Sequence, residues 1–133
     1  MVLDCSPTIA WALDENAGEW SASVIDVFGH DAALVPSIWP SEVANALLRA
    51  ERSGRLDPSA TGHVVAAIEE LPVEVDVGAA AVALHTVLDL ARESGLTTYD
   101  ASYLELALRL GLPLATLDRR LAEAAREHGV EVL

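Results

Sequence analysis

Four carboxylates stand where chemistry could be done: Asp4 in "MVLDCSP", Glu42 in "WPSEVANALLRAE", Asp100 in "GLTTYDASYLELALRLG" and Asp118 in "LATLDRRLAEAA". Counting from Asp100, Tyr103, Leu104, Ala107 and Leu108 fall at i+3, i+4, i+7 and i+8, so this acid shares a stripe with side chains expected to pack inward. A charge at the head of such a stripe is costly unless a cap or a cation compensates it. Thr97 and Thr98 can cap that helix in its place. Asp4 lies between "VL" and "CSP", where Ser6 and Pro7 already supply an N-cap and a first helical residue. Asp118 ends "LATL" before a helical run and reads equally as a helix cap or as a ligand at a strand end. Glu42 falls in a first helical turn, where the dipole favours an acid, and Asn45 and Arg49 at i+3 and i+7 extend a polar line beside Val43, Ala46, Leu47 and Ala50. That line suits one wall of a cleft. Asp57, before Pro58, is the control case: a helix cap with no further task.

Singly, each of the four acids is as readily structural as functional. If two strand ends and two helix starts converge, however, the carboxylates cannot all stay ionised in an apolar rim without a cation. Oxygen-only ligands suit Mg²⁺ or Mn²⁺ rather than Zn²⁺. His30, His63, His85 and His128 have no ligand spacing and read as surface or satisfied helix residues, and Cys5 as a small buried side chain.

The elements that must position these acids alternate. Strands are expected at 1–4, 32–36, 73–76, 114–117 and 130–133, with helices at about 6–14, 17–29, 38–53, 58–70, 77–94, 98–110 and 119–128. Gly54, Gly95, Gly111 and Gly129 fall just past four helices, where a left-handed C-cap is needed. The pattern is α/β with a parallel sheet covered on both faces, and ligands in such sheets gather at the carboxyl ends of strands.

The bulk properties agree. The chain has 133 residues, enough for one domain with a substantial core, and is 52% hydrophobic. No apolar stretch reaches the length of a membrane span, the N-terminus lacks a secretory pattern, and one cysteine cannot form an internal disulfide, so a soluble cytoplasmic protein is expected. The net charge is −13, and every basic residue is arginine. This excludes a general polyanion binder and favours a basic protein partner.

In order and interval, "MVLDCS", "PSEVANAL", "TTYDASYLELA" and "LATLDRRLAEAA" resemble the PIN-domain ribonucleases and, in length and detail, the VapC toxins of bacterial VapBC toxin–antitoxin pairs. The resemblance covers essentially the whole chain and implies a single PIN domain over 1–133, with strand order 3-2-1-4-5. It implies a Mg²⁺ or Mn²⁺ site for RNA cleavage made by Asp4, Glu42, Asp100 and Asp118, with Ser6, Asn45 and Thr116 orienting ligands or water. It also implies a homodimer inhibited by an antitoxin whose C-terminal segment brings a basic side chain near the acids. Cys5 departs from the Ala or Ser more usual in the family, and its side chain is expected to point away from the acids.

The expected reaction is in-line hydrolysis assisted by one or two ions, about 3.5–4 Å apart if two bind, yielding a 5′-phosphate and a 3′-hydroxyl. Arg119 and Arg120 could contact phosphate. A phosphoacceptor domain would need a lysine, which is absent, and a dehalogenase-type phosphatase a second Asp where Ser6 stands. The alternative that stays open is a non-catalytic acidic PIN-fold module that holds a basic peptide.

Overall fold

A computed structural model describes residues 1–13, 32–78 and 83–133. In chain order these form β1 (Val2–Leu3), α1 (Cys5–Leu13), β2 (Ala33–Pro36), α2 (Trp39–Arg52), α3 (Thr61–Glu69) and β3 (Val73–Asp76). They continue with α4 (Ala83–Ser94), α5 (Thr98–Leu110), β4 (Leu114–Ala115) and α6 (Arg119–Glu127). The expected helix at 17–29 and residues 79–82 of the one at 77–94 lie outside the described residues, as does His30.

The strands make a parallel sheet in the order β3-β2-β1-β4, with Val2 paired to both Leu34 and Leu114. β1 and β2 therefore occupy the middle, which explains their apolar runs, and Val2, Ala33 and Val35 are fully buried. The expected fifth strand at 130–133 is reduced to a single parallel bridge, Leu114 to Val132, on the outer side of β4. The reason lies in β4. It was expected to run to residue 117 but ends at Ala115, because the next residues turn their hydrogen bonds toward Asp4 and Ser6. One rung is all that remains for the chain beyond: Leu114 N donates to Glu131 O and Leu133 N to Leu114 O.

α5 packs against β1, β2 and β4 and also against α4 and α6. Contact on both sides explains why Tyr103, Leu104, Glu105, Leu106 and Ala107 are buried in unbroken succession, where a one-sided stripe was expected. Leu108, placed on that stripe by spacing, is exposed. α5 ends on Gly111 at φ +63°, the left-handed cap its position called for, and the same sign of φ recurs at Gly54, Gly95 and Gly129.

The helix expected from residue 58 begins instead at Thr61. Asp57 caps a turn rather than the helix: its Oδ1 accepts from both the backbone N and the hydroxyl of Ser59, which hold its carboxyl below the usual carboxylate range.

One charge inside the fold was not foreseen. Glu105, 4% exposed, accepts from Arg109 Nε at 2.9 Å, and Arg109 Nη2 reaches Asp76 at the end of β3, so the sheet edge is tied to α5. Arg109→Met would leave a buried carboxylate unpaired and is expected to cost about 2–3 kcal/mol in urea denaturation at neutral pH. Adding Glu105→Leu should restore most of that loss; no restoration would mean that the arginine acts by packing alone.

Candidate functional site

The strand ends are fastened to each other before they face any ligand. Asp4 follows β1, is 6% exposed, and donates its backbone N–H to Ala115 O at 3.0 Å. Its Oδ1 accepts from Cys5 N at 2.6 Å, and its Oδ2 accepts from Ser6 Oγ and, at 2.7 Å, from Thr116 Oγ1. Both hydroxyls accept in turn from the facing strand end: Thr116 Oγ1 from Asp118 N and Ser6 Oγ from Leu117 N, each at 3.0 Å. The carboxylate of β1 and the backbone after β4 are thus parts of one network, which a buried charge requires.

Asp118 is the N-cap of α6, its Oδ1 accepting from Arg120 N at 2.8 Å and Leu121 N at 3.0 Å. The capping task foreseen for it is real, and the side chain nevertheless lines the cleft. Asp100 is not the cap of its own helix. Thr97 is, with its hydroxyl accepting from Asp100 N and donating to Asp100 Oδ2 at 2.7 Å.

Glu42, in the first turn of α2, is held by the hydroxyl of Tyr103, a fully buried side chain of α5, which donates to Glu42 Oε2. Burial raises the pKa of Glu42, the Tyr103 hydrogen bond opposes that shift, and repulsion from Asp4 and Asp100 adds to it. Glu42 therefore feels the charge of two acids held by other parts of the chain. Tyr103→Phe removes one oxygen from this arrangement. It is expected to cost about 1–2 kcal/mol in thermal or chemical denaturation; an unchanged stability would show that water replaces the hydroxyl without loss.

Asp4, Glu42, Asp100 and Asp118 line one cleft of about 820 Å³, together with Ser6 and Asn45. Thr116 lies behind Asp4 rather than on the cleft wall. Arg119 faces a separate pocket of about 300 Å³ that shares Asp118, and Arg120 is exposed and lines neither. Cys5 lines the cleft as well. Expected to point away, its thiol instead senses Asp4 and Glu42, and burial followed by those two charges pushes it up to about 12 against the pull of Arg49. A thiol so shifted stays protonated and supplies no nucleophile. His63 and His85 are exposed, and His128 bonds the carbonyl of Ala124.

Among the described residues, no three acidic, histidine or cysteine side chains lie close enough to hold one ion between them. The donor set is all oxygen, however, and Mg²⁺ characteristically takes one or two carboxylates, keeps several waters and shares substrate phosphates. The oxygen-rich lining suits a hydrated hard cation of that kind better than zinc, which favours histidine and cysteine ligands.

Spacing did not reveal Tyr103, whose place on the inward stripe of α5 marked it as core. It is both core and site. Thr97, read only as a cap, is exposed and also donates to the carboxylate of Asp100.

The family model of the PIN domain matches residues 1–127. Ribonuclease VapC3 of Pyrobaculum aerophilum is 38% identical over 82 residues, which is 62% of this chain and 63% of the relative. Exonuclease VapC9 of the same organism is 41% identical over 81 residues, 60% of this chain and 57% of the relative. The matches thus span less than two thirds of the length of either relative. The crystal structure of PAE2754 from Pyrobaculum aerophilum superimposes with a TM-score of 0.70 at 28% identity, covering 98% of this chain and 81% of that one. Among the described residues, no helix is long and apolar enough to cross a membrane.

Proposed function

The chain belongs to the PIN-domain family, and from that premise we propose that it is a single PIN domain over 1–133 acting as a Mg²⁺- or Mn²⁺-dependent ribonuclease, the VapC-type toxin of a toxin–antitoxin pair. The observation that carries this reading is the convergence of Asp4, Glu42, Asp100 and Asp118 on one cleft from two strand ends and two helix starts. Names given to the relatives, one a ribonuclease and one an exonuclease, support a nuclease.

In this reading the four carboxylates hold the ion, directly or through water. Bound there, it supplies charge neutralisation at the phosphate and acidifies water. The chain's own residues keep that arrangement rigid. Asp4 is immobilised by Ser6, Thr116 and the Cys5 amide, Glu42 by the Tyr103 hydroxyl, and Asp118 by its own helix. Such fixing of ligands is what separates a reactive geometry from a loose cluster of acids. Asn45, on the same wall as Glu42, is placed to orient water or a phosphate oxygen. In this reading water attacks the phosphorus in line and the 3′-oxygen leaves, so the products carry a 5′-phosphate and a 3′-hydroxyl.

The toxin acts as a homodimer. The acidity of the cleft and the net charge of −13 suit an antitoxin that inserts a basic C-terminal segment among the carboxylates. Induced expression of the wild-type chain in a bacterial host is expected to arrest growth, and the Asp100→Asn chain at equal abundance is not. Normal growth with folded wild-type protein accumulating would contradict the toxin reading.

A further inference from the structure

Arg49 and Tyr99 line the acid cleft and have no part in the hydrolytic chemistry described above. We propose that they form a subsite for an unpaired nucleotide beside the scissile phosphate, Tyr99 stacking its base and Arg49 holding its phosphate. This rests on the ribonuclease reading and specifies what the site accepts.

Arg49 is placed by the same helix face that presents Glu42. Glu42, Asn45 and Arg49 are spaced i, i+3 and i+7 on α2 and all line the cleft. Seven residues correspond to roughly 10 Å along the helix, too far for Arg49 to share the group bound at Glu42 and suited to a neighbouring phosphate. Among the described residues it is the single cation on the cleft wall, and it makes no ion pair there. Arg92 and Arg109, by contrast, are tied to Asp89 and to Glu105 with Asp76. In a chain of net charge −13, that guanidinium marks where a polyanion is admitted.

Tyr99 precedes Asp100 in the first turn of α5 and is 57% exposed, the one exposed aromatic among the described residues. Trp39 and Tyr103 are buried, as large aromatic side chains usually are. An aromatic face open beside the acids offers stacking to a base, and only a base released from a duplex can take it.

The test measures fluorescence anisotropy of the whole chain carrying Asp100→Asn, in Mn²⁺ and at several salt concentrations. The probes are a labelled mixed-sequence RNA of about 12 nucleotides, single-stranded and annealed to its complement. Adding Tyr99→Ala should weaken single-strand binding about tenfold and leave duplex binding unmoved, while Tyr99→Phe retains it. Adding Arg49→Gln should weaken it about tenfold and reduce the salt slope by roughly 0.7, one phosphate contact fewer.

Unchanged single-strand binding in both variants would overturn the subsite. So would equal loss on duplex, or a loss confined to a labelled arginine-rich peptide run as a third probe, which would assign these residues to a protein partner. Wild-type cleavage of the same RNA is followed in parallel. Normal cleavage with unmoved binding overturns the subsite alone; RNA left uncut while the variants still weaken binding overturns the nuclease reading and upholds the contacts.

Discussion

Asp100→Asn is expected to lower RNA cleavage by about 10³-fold or more while leaving the metal-free protein as stable as wild type or more so. Two features of the site require this separation. The amide oxygen of asparagine can still accept from Thr97 Oγ1, so the start of α5 is kept. The charge removed is one of those that raise the pKa of Glu42, so the apo site is relieved of repulsion. The sign follows from linkage. A carboxyl whose folded pKa lies above its unfolded value loses stability as pH rises past the unfolded value, because the folded state resists giving up the proton. Weakening the repulsion lessens that loss at neutral pH. A clear drop in the melting temperature of the metal-free variant would assign Asp100 a structural task instead, and retained cleavage would remove it from the site.

Asp4→Asn should abolish cleavage to a similar extent and, unlike the change at Asp100, also destabilise the protein by about 1–3 kcal/mol. Asp4 accepts from Cys5 N, Ser6 Oγ and Thr116 Oγ1, and the two hydroxyls already accept from Leu117 N and Asp118 N. An amide NH₂ in place of Oδ2 sets donor against donor, and the hydroxyls cannot turn to accept it without leaving their own protons unpartnered in a buried place. Chemical denaturation of both variants measures the difference directly. Equal stabilities would mean that the network between β1 and β4 contributes nothing net.

The contrast between these acids marks what local sequence can carry. Asp4, Glu42, Asp100 and Asp118 were recognisable because each punctuates a periodic run, and parallel α/β topology brings strand ends together. The central strands, the helices through α6 and the glycine caps were legible for the same reason: their signals are spaced within a few residues. What escaped depends on partners far along the chain. Glu105 reads as an ordinary solvent-facing position between Leu104 and Leu106, and only the packing of α5 on both sides buries it against Arg109 and Asp76. Tyr103 gave its apolar period but not the destination of its hydroxyl, 61 positions away at Glu42. The last strand had the right residues and too short a partner, because β4 stops at Ala115 and Leu117 N turns to Ser6 Oγ. Cys5 was judged by its neighbours in sequence, whereas the helix that begins at Cys5 sets its thiol near the acids.

Product-end mapping decides whether the acid cleft is a metal-dependent nuclease: purified, antitoxin-free protein is incubated with a mixed pool of structured RNA in Mn²⁺, in EDTA and as Asp100→Asn. Cuts are expected in Mn²⁺ alone, absent from the other two, with 5′-phosphate and 3′-hydroxyl ends. Cleavage that persists in EDTA, or ends bearing a 2′,3′-cyclic phosphate, would contradict it, because the attacking oxygen would then belong to the RNA and the four carboxylates would need another purpose.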